Sequence, residues 1–321
     1  MNRWYASVNF GLENICAKII KNHGATSVKT LDSAVIFSCP HEIKNKCINN
    51  LFLIIHSFNA NTIEDAAKKI INKKILFPKI KNNTFRVIIM ERGKLKPLPK
   101  NMIHELENKI MQQTRMSTYR ANPETEIWLN RRSNGRTYFM VRTQKHTPHE
   151  KALKKGELRP DVVEALLFEA GINKNSVVAD LFGGWGAIAA GVAESGRYRK
   201  IYTGDINPEC VAYQKKRLEN KNNYYVQKWD AQHTPLADNS VDAIITDPHW
   251  GKFEKIEAAD FYNAWITEAA RILTPDGSLV FLSAAQEEAK QALENNNFSY
   301  ASTPVKINGK NTFLFSAELN N

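Results

Sequence analysis

Long apolar runs are missing from this chain of 321 residues. None approaches the roughly 20 residues that a membrane-spanning helix needs, so no membrane is expected as a partner. The N-terminus, "MNRWYASVNFGLENICAKII", lacks a basic segment followed by a continuous apolar core, which argues against a secretory signal and for a cytoplasmic protein. Cysteine is sparse. Cys16, Cys39, Cys47 and Cys210 form no CxxC pair, as expected of isolated reduced thiols. The eight histidines show no HExxH or other ligand spacing, so no metal is expected. There is no repeat of 20–50 residues and no low-complexity tract. GxGxxG and a P-loop Gly-Lys-Ser/Thr are absent as well, which removes the two commonest nucleotide loops.

What is present is an uneven charge. The net charge is +11, but residues 1–150 hold 25 Lys and Arg against 11 Asp and Glu. The remaining 19 basic and 22 acidic residues leave the second half slightly negative. A charge kept for solubility would be spread more evenly, so the first half is expected to handle a polyanion. No helix reads as an exposed apolar seam, and a monomer is the default.

The first ~50 residues read strand, helix, strand: "RWYASVNF", "GLENICAKIIKNHGA", "SAVIFSC". "FLIIHSF" and "TFRVIIMERG" are strands, and "IEDAAKKIINKKI" and "PKNMIHELENKIMQQT" are amphipathic helices. "ETEIWLN" and "RTYFMVR" flank "RRSNG", a hairpin signal because Asn134-Gly135 readily takes positive φ. Residues 146–160 form a polar, basic connector. Beyond it the apolar strands "VVADLF", "KIYTGDI", "YYVQKWD", "VDAIITD" and "GSLVFLS" alternate with helices, implying a mostly parallel sheet covered on both faces.

The strand ends of that second half carry the chemistry. Gly183, Gly184 and Gly186 occupy a turn entering a helix, where the backbone can approach a ligand closely. Asp205 follows Asp180 by 25 residues and can accept hydrogen bonds from two ribose hydroxyls, although it is also a candidate helix cap. Asp230 can accept from an adenine amino group. The next strand ends in "ITDPHWG". There the Asp247 carboxylate and the Pro248 carbonyl can both hold an exocyclic amine, and Trp250 offers a face for a flipped base, worth about 1–3 kcal/mol.

Asp247-Pro248-His249-Trp250 resembles the (D/N/S)PP(Y/F/W) motif of class I S-adenosylmethionine-dependent methyltransferases that modify exocyclic amines. "WYASVNFGLENICAKIIKNHGA", "FRVIIMERG" and "ANPETEIWLNRRSNGRTYFMVR" resemble a THUMP RNA-binding module with its preceding ferredoxin-like segment. "KGELRP" is similar to the segment before the cofactor strand. Together these features look like the tRNA guanine-N2 methyltransferases. The resemblance implies an α/β fold with a C-terminal Rossmann-like methyltransferase domain at 161–321. Before it come a ferredoxin-like segment at 1–50, a THUMP domain at 51–145 and a linker at 146–160. It implies S-adenosylmethionine as cofactor, held by Asp180, Phe182, Gly183, Gly184, Gly186, Asp205, Ile206, Asp230, Ala231 and Asp247. Catalysis falls to Asp247, Pro248, His249 and Trp250. The implied partner is tRNA, gripped by Arg131, Arg132 and Arg136 on the hairpin with Lys94, Lys96, Lys100, Arg115 and Arg120. A small activating subunit stays open.

Two positions depart from the family pattern. His249 replaces the second proline, either contacting base or phosphate or serving as a turn variant. Trp185 stands where a small residue is usual, and either narrows the pocket or packs away from it. Adenine-N6 or cytosine-N4 methylation of RNA or DNA shares the four-residue motif and remains an alternative, as does a non-catalytic tRNA-binding protein.

Overall fold

In the computed structural model, which describes residues 1–78, 82–145, 153–248, 255–307 and 309–320, the polypeptide divides into two units. The first comprises Met1–Ser7, Ile20–Lys44 and Ile48–His146, and the second Val8–Ile19, Asn45–Cys47 and Thr147–Asn321.

The elements up to residue 145 are β1 (Asn2–Ser7), α1 (Glu13–Asn22), β2 (Thr26–Leu31), β3 (Ala34–Cys39), β4 (Asn50–Asn59), α2 (Ile63–Ile71), β5 (Thr84–Glu91), β6 (Lys94–Leu95), α3 (Lys100–Thr114), β7 (Ser117–Thr118), β8 (Thr125–Arg131) and β9 (Arg136–Lys145). Their strands form one sheet in the order β2-β3-β1-β4-β9-β8-β5-β6, with β7 beside β5. β5 runs parallel to β7 and β8, and the other pairs are antiparallel. α2 forms where the sequence puts Ile63, Ala66, Ala67 and Ile70 on one helical face, and Thr62 caps it by accepting from the Asp65 amide at 3.0 Å. That face joins Leu106 and Ile110 of α3 in covering Phe85, Ile127, Leu129 and Phe139 of the sheet. The strand period of two sends Tyr138 and Met140 to the opposite face, with Tyr5, Ile36 and Phe52. The hairpin turn is as expected, with Gly135 at φ +79°.

The second unit continues with α4 (Pro160–Glu169), β10 (Val177–Asp180), α5 (Ala187–Ser195), β11 (Lys200–Asp205), α6 (Pro208–Leu218), β12 (Tyr224–Lys228), β13 (Val241–Thr246), α7 (Lys255–Ile272), β14 (Leu273–Ser283), α8 (Gln286–Asn295), β15 (Phe298–Ile307) and β16 (Lys310–Leu319). The sheet order is β12-β11-β10-β13-β14-β16-β15. Its first five strands run parallel, and β16 is antiparallel to both its neighbours, β14 and β15. This is the expected Rossmann-like α/β architecture. Ala179, Ile244, Leu279 and Phe281 lie under Trp265 and Ile266 of α7 and Leu293 of α8. The alternate residues Val178, Ile245 and Val280 are equally buried, so both faces are covered. α4 and α5 touch so closely that a Cβ on Gly191 would fall 2.4 Å from Val163 Cγ1. The order reverses between β10 and β13, and a crevice at the strand ends is expected there.

In the described part of the connector, 153–159, Lys154–Gly156 are exposed and the chain packs down at Glu157 and Leu158. Leu158 is buried, and Glu157 accepts from the Lys154 amide at 2.9 Å and from Arg217 at 2.6 Å. No helix among the described residues is long and apolar enough to cross a membrane.

Candidate active site

Three neighbouring parallel strands, β11, β10 and β13, end on the same side of the sheet, and their tips are tied together by side-chain hydrogen bonds. β10 runs into the glycine turn. Gly184 and Gly186 both take positive φ, +48° and +75°, which side chains with a Cβ rarely adopt. Above Gly184 the space is open, since an added Cβ would meet only the Phe182 carbonyl at 3.9 Å. Below Gly183 there is none, because a Cβ would fall 2.5 Å from Thr203 Oγ1.

Asp205 at the tip of β11 holds the turn. Its Oδ2 accepts from the Gly184 amide at 2.8 Å, and its Oδ1 accepts from the Asn207 amide at 2.8 Å. The helix cap is Asn207, which accepts from the Glu209 amide. A carboxylate offers about four lone-pair sites. Two are therefore left for a ligand. Ile206 beside it is 67% exposed, an apolar surface at the mouth of the turn.

Asp180 is fully buried at the end of β10. Thr246 Oγ1 donates to its Oδ1 at 2.9 Å and accepts from the Phe182 amide at 3.0 Å, joining β10 to β13. Asp180 Oδ2 has no partner among the described residues. Burial pushes this carboxyl up to about 7, with the nearby Asp205 charge adding to the rise and the Thr246 bond opposing it. A buried, partnerless acceptor is costly unless something fills it.

Asp247 and Pro248 follow Thr246 directly, so the amine clamp expected from the sequence starts one residue from that bond. Tyr262 of α7 donates or accepts at 2.7 Å with Ser283 Oγ at the end of β14. Burial raises its phenol to about 12, and the Asp247 charge adds to the rise. His249 and Trp250 lie outside the described residues.

The other cofactor candidates fall in place unevenly. Phe182 packs its ring against Phe261 and Trp265, at 5.7 and 5.6 Å. Asp230 is exposed beyond β12, with Oδ1 accepting from the Gln232 amide at 3.0 Å, and Ala231 is buried beside it. Trp185 is engaged by its own surroundings: its Nε1 donates to the Lys155 carbonyl at 3.1 Å, its ring meets Tyr213 edge-on at 5.4 Å, and Lys154 Nζ sits 5.3 Å over it.

Sequence reasoning overlooked the supports of the turn. Gln214 of α6 donates to the Gly184 carbonyl at 2.9 Å and accepts from Thr203 at 2.8 Å, and Arg217 donates to the Trp185 carbonyl at 2.8 Å. Their spacing of three residues on one helix facing the glycine turn was the available signal. Thr246 was the last residue of an apolar strand, and nothing in the pattern marked it.

The basic residues expected to meet RNA separate into two groups. Arg131 is a correction: it is buried, donating to the Ala60 carbonyl at 2.9 Å and pairing with Glu91 at 3.1 Å, so it holds the hairpin to the fold. Arg120 is paired with Glu107 at 2.8 Å. Arg132 donates to Tyr5 and to the Asp32 carbonyl, and Arg136 to Ser57, none of them a carboxylate. Lys94, Lys96, Lys100 and Arg115 are exposed.

The fold is similar to that of TrmN from Thermus thermophilus, with a TM-score of 0.81 and 17% identity over 100% of both chains. It is similar to SMU.472 complexed with SAH, with a TM-score of 0.75 and 12% identity over 100% of this chain and 98% of the other. A protein from Listeria monocytogenes described as a predicted N6-adenine-specific DNA methylase aligns with a TM-score of 0.69 and 13% identity, over 98% of this chain and 95% of its own. No curated protein matches the sequence. Residues 157–310, which carry all of these strand tips, match the family model of the methyltransferase small domain.

Proposed function

We propose that this protein is an S-adenosylmethionine-dependent methyltransferase that forms N2-methylguanosine in tRNA. The observation that carries the reading is the Asp180–Thr246 bond, which ties the strand end just before Asp247-Pro248 to the strand that enters the glycine turn. The residues of that turn fit the cofactor. Asp205 keeps two acceptor sites for ribose hydroxyls, Ile206 presents an apolar face for a purine ring, and Asp180 Oδ2 awaits a donor such as an ammonium. The SAH bound to the structurally similar SMU.472 is the demethylated form of that cofactor. S-adenosylmethionine supplies an electrophilic methyl group on a sulfonium.

The protein's own residues then prepare the nucleophile. An exocyclic amine is weakly nucleophilic because its lone pair is delocalised into the base. Asp247 and the Pro248 carbonyl accept hydrogen bonds from its two N–H groups, orient the nitrogen and stabilise the positive charge it develops. Asp247 is also placed to take the released proton. The cationic excess in residues 1–150 supports RNA as the substrate, with the first unit acting as a THUMP-type module that grips phosphates. A reducing cytoplasm suits the four buried free thiols.

The test is methyl transfer to unmodified tRNA transcripts followed by nucleoside mass spectrometry. N2-methylguanosine is the expected product. N6-methyladenosine instead would favour the reading suggested by the Listeria monocytogenes protein's description. No methylated nucleoside on any transcript would overturn the tRNA assignment.

A further inference from the structure

The first unit contains a groove of about 490 Å³ on the sheet face opposite α2 and α3. Its lining includes Arg3 of β1, Lys29 of β2, Arg136 of β9 and Asn134 of the hairpin turn, and no Asp or Glu. Arg3 and Arg136 both point at one hydroxyl: Ser57 Oγ accepts from Arg3 Nη1 at 3.4 Å and from Arg136 Nη2 at 3.0 Å. Neither arginine, nor Lys29, makes an ion pair with a carboxylate among the described residues. Two guanidiniums converging on a neutral oxygen repel one another, and an anion between them relieves that repulsion.

The backbone beside the groove is shaped to the same end. β2 is the edge strand, and its register against β3 slips between Thr26 and Lys29. Ser27, inside that slip, takes φ +50°, a conformation that costs a non-glycine residue energy. A bulge of this kind re-aims the side chains next to it, here Lys29. The aromatic lining residues Phe37 and Tyr138 are both nearly fully buried, so the groove offers no ring face for a base. Such a surface reads charge and not sequence.

We propose that this groove binds backbone phosphates of the RNA substrate, with Arg3 and Arg136 as the paired contacts and Lys29 as a third. The site rests on the reading of the protein as an RNA methyltransferase, and it adds residues from β1 and β2 to the hairpin positions. The RNA is held there irrespective of its sequence, and the flanking nucleotides are positioned by other contacts.

The experiment measures binding of an unmodified tRNA transcript to the full chain over a range of salt concentrations, for the wild type and for Arg3→Glu/Arg136→Glu. The double variant is expected to bind at least ~10-fold more weakly. Its salt slope should be shallower by roughly 1.4–1.8, the value for two lost phosphate contacts. S-adenosylmethionine affinity by calorimetry should be unchanged. Lys29→Glu, an exposed single change, serves if the double variant melts early, and weaker tRNA binding is expected there too. Wild-type affinity and salt slope in the folded variants would overturn the proposal. So would intact tRNA binding together with lost binding to vesicles of anionic lipid, which would make the groove a membrane contact. Because no methyl transfer is read, failure of the groove and failure of the enzymatic reading remain distinguishable.

Discussion

In the second unit Asp180, Asp205 and Asp247 stand at the ends of three adjacent strands, while in the first unit Arg3, Lys29 and Arg136 are spread over one sheet face. The strand directions account for the difference. Parallel strands all finish on one side, so one acid per strand makes a convergent set without any group leaving its strand end. Antiparallel strands finish alternately on opposite sides. Their side chains meet instead by sharing a face in register, as Arg136 opposite Asn59 and Ser57 opposite Tyr138 do. A parallel sheet therefore favours a point-like site, and an antiparallel one a broad surface.

That contrast can be broken first at Asp247. Asp247→Ala is expected to lower methyl transfer ~10²–10⁴-fold, the usual span for loss of a positioned base. Filter binding of tRNA should stay at the wild-type value; a joint loss would mean that the two sheets do not divide the labour. Next in size is a pH effect at Asp180. Its folded carboxyl titrates near 7, above the ~3.9 of an unfolded chain. The native state thus keeps a proton that the unfolded state has released, and stability from this group falls as pH rises from about 4 to about 7, then levels off. Asp180→Asn should flatten that part of the urea-midpoint profile. An unaltered slope would show that another group sets it.

A smaller effect is expected in the first unit, where Arg131 and Arg136 flank the turn of one hairpin. Arg131→Ala strands the Ala60 carbonyl and Glu91 and should cost about 1–3 kcal/mol in urea unfolding. Arg136→Ala, whose guanidinium is only half-buried, should stay within about 0.5 kcal/mol. Equal costs would erase the distinction between a cation that holds the fold and one displayed for a partner.

That distinction marks where the sequence was legible. Periodicity placed α2, α3 and the parallel strands, because one buried face imposes a repeating pattern. It passed over β2, whose "TSVKTL" is exposed and bulged, and β15, an edge strand containing Pro304. The glycine turn, Asp205 and Asp247 were visible because their chemistry is tied to residue type and to a strand end. Thr246, Gln214 and the burial of Arg131 were not, since each depends on which strands and helices become neighbours. Counting charges found the basic half, but it counted Arg131 with Arg136, and Arg86 and Arg142 with the free cations although Glu126 pairs with both.

The carboxylate of Asp205 is fixed at both oxygens before any ligand arrives, by amides on either side of the strand tip. Its orientation is thus settled during folding, and the glycine turn with it. On the reading proposed above, a nucleoside cofactor finds this acceptor already aimed, so little rotational freedom is lost on the protein side when the complex forms. Selectivity then becomes a question of fit at the moment of encounter. On the same reading, a ligand lacking either ribose hydroxyl cannot be accommodated by swinging Asp205 toward a substitute donor without breaking the glycine turn it holds.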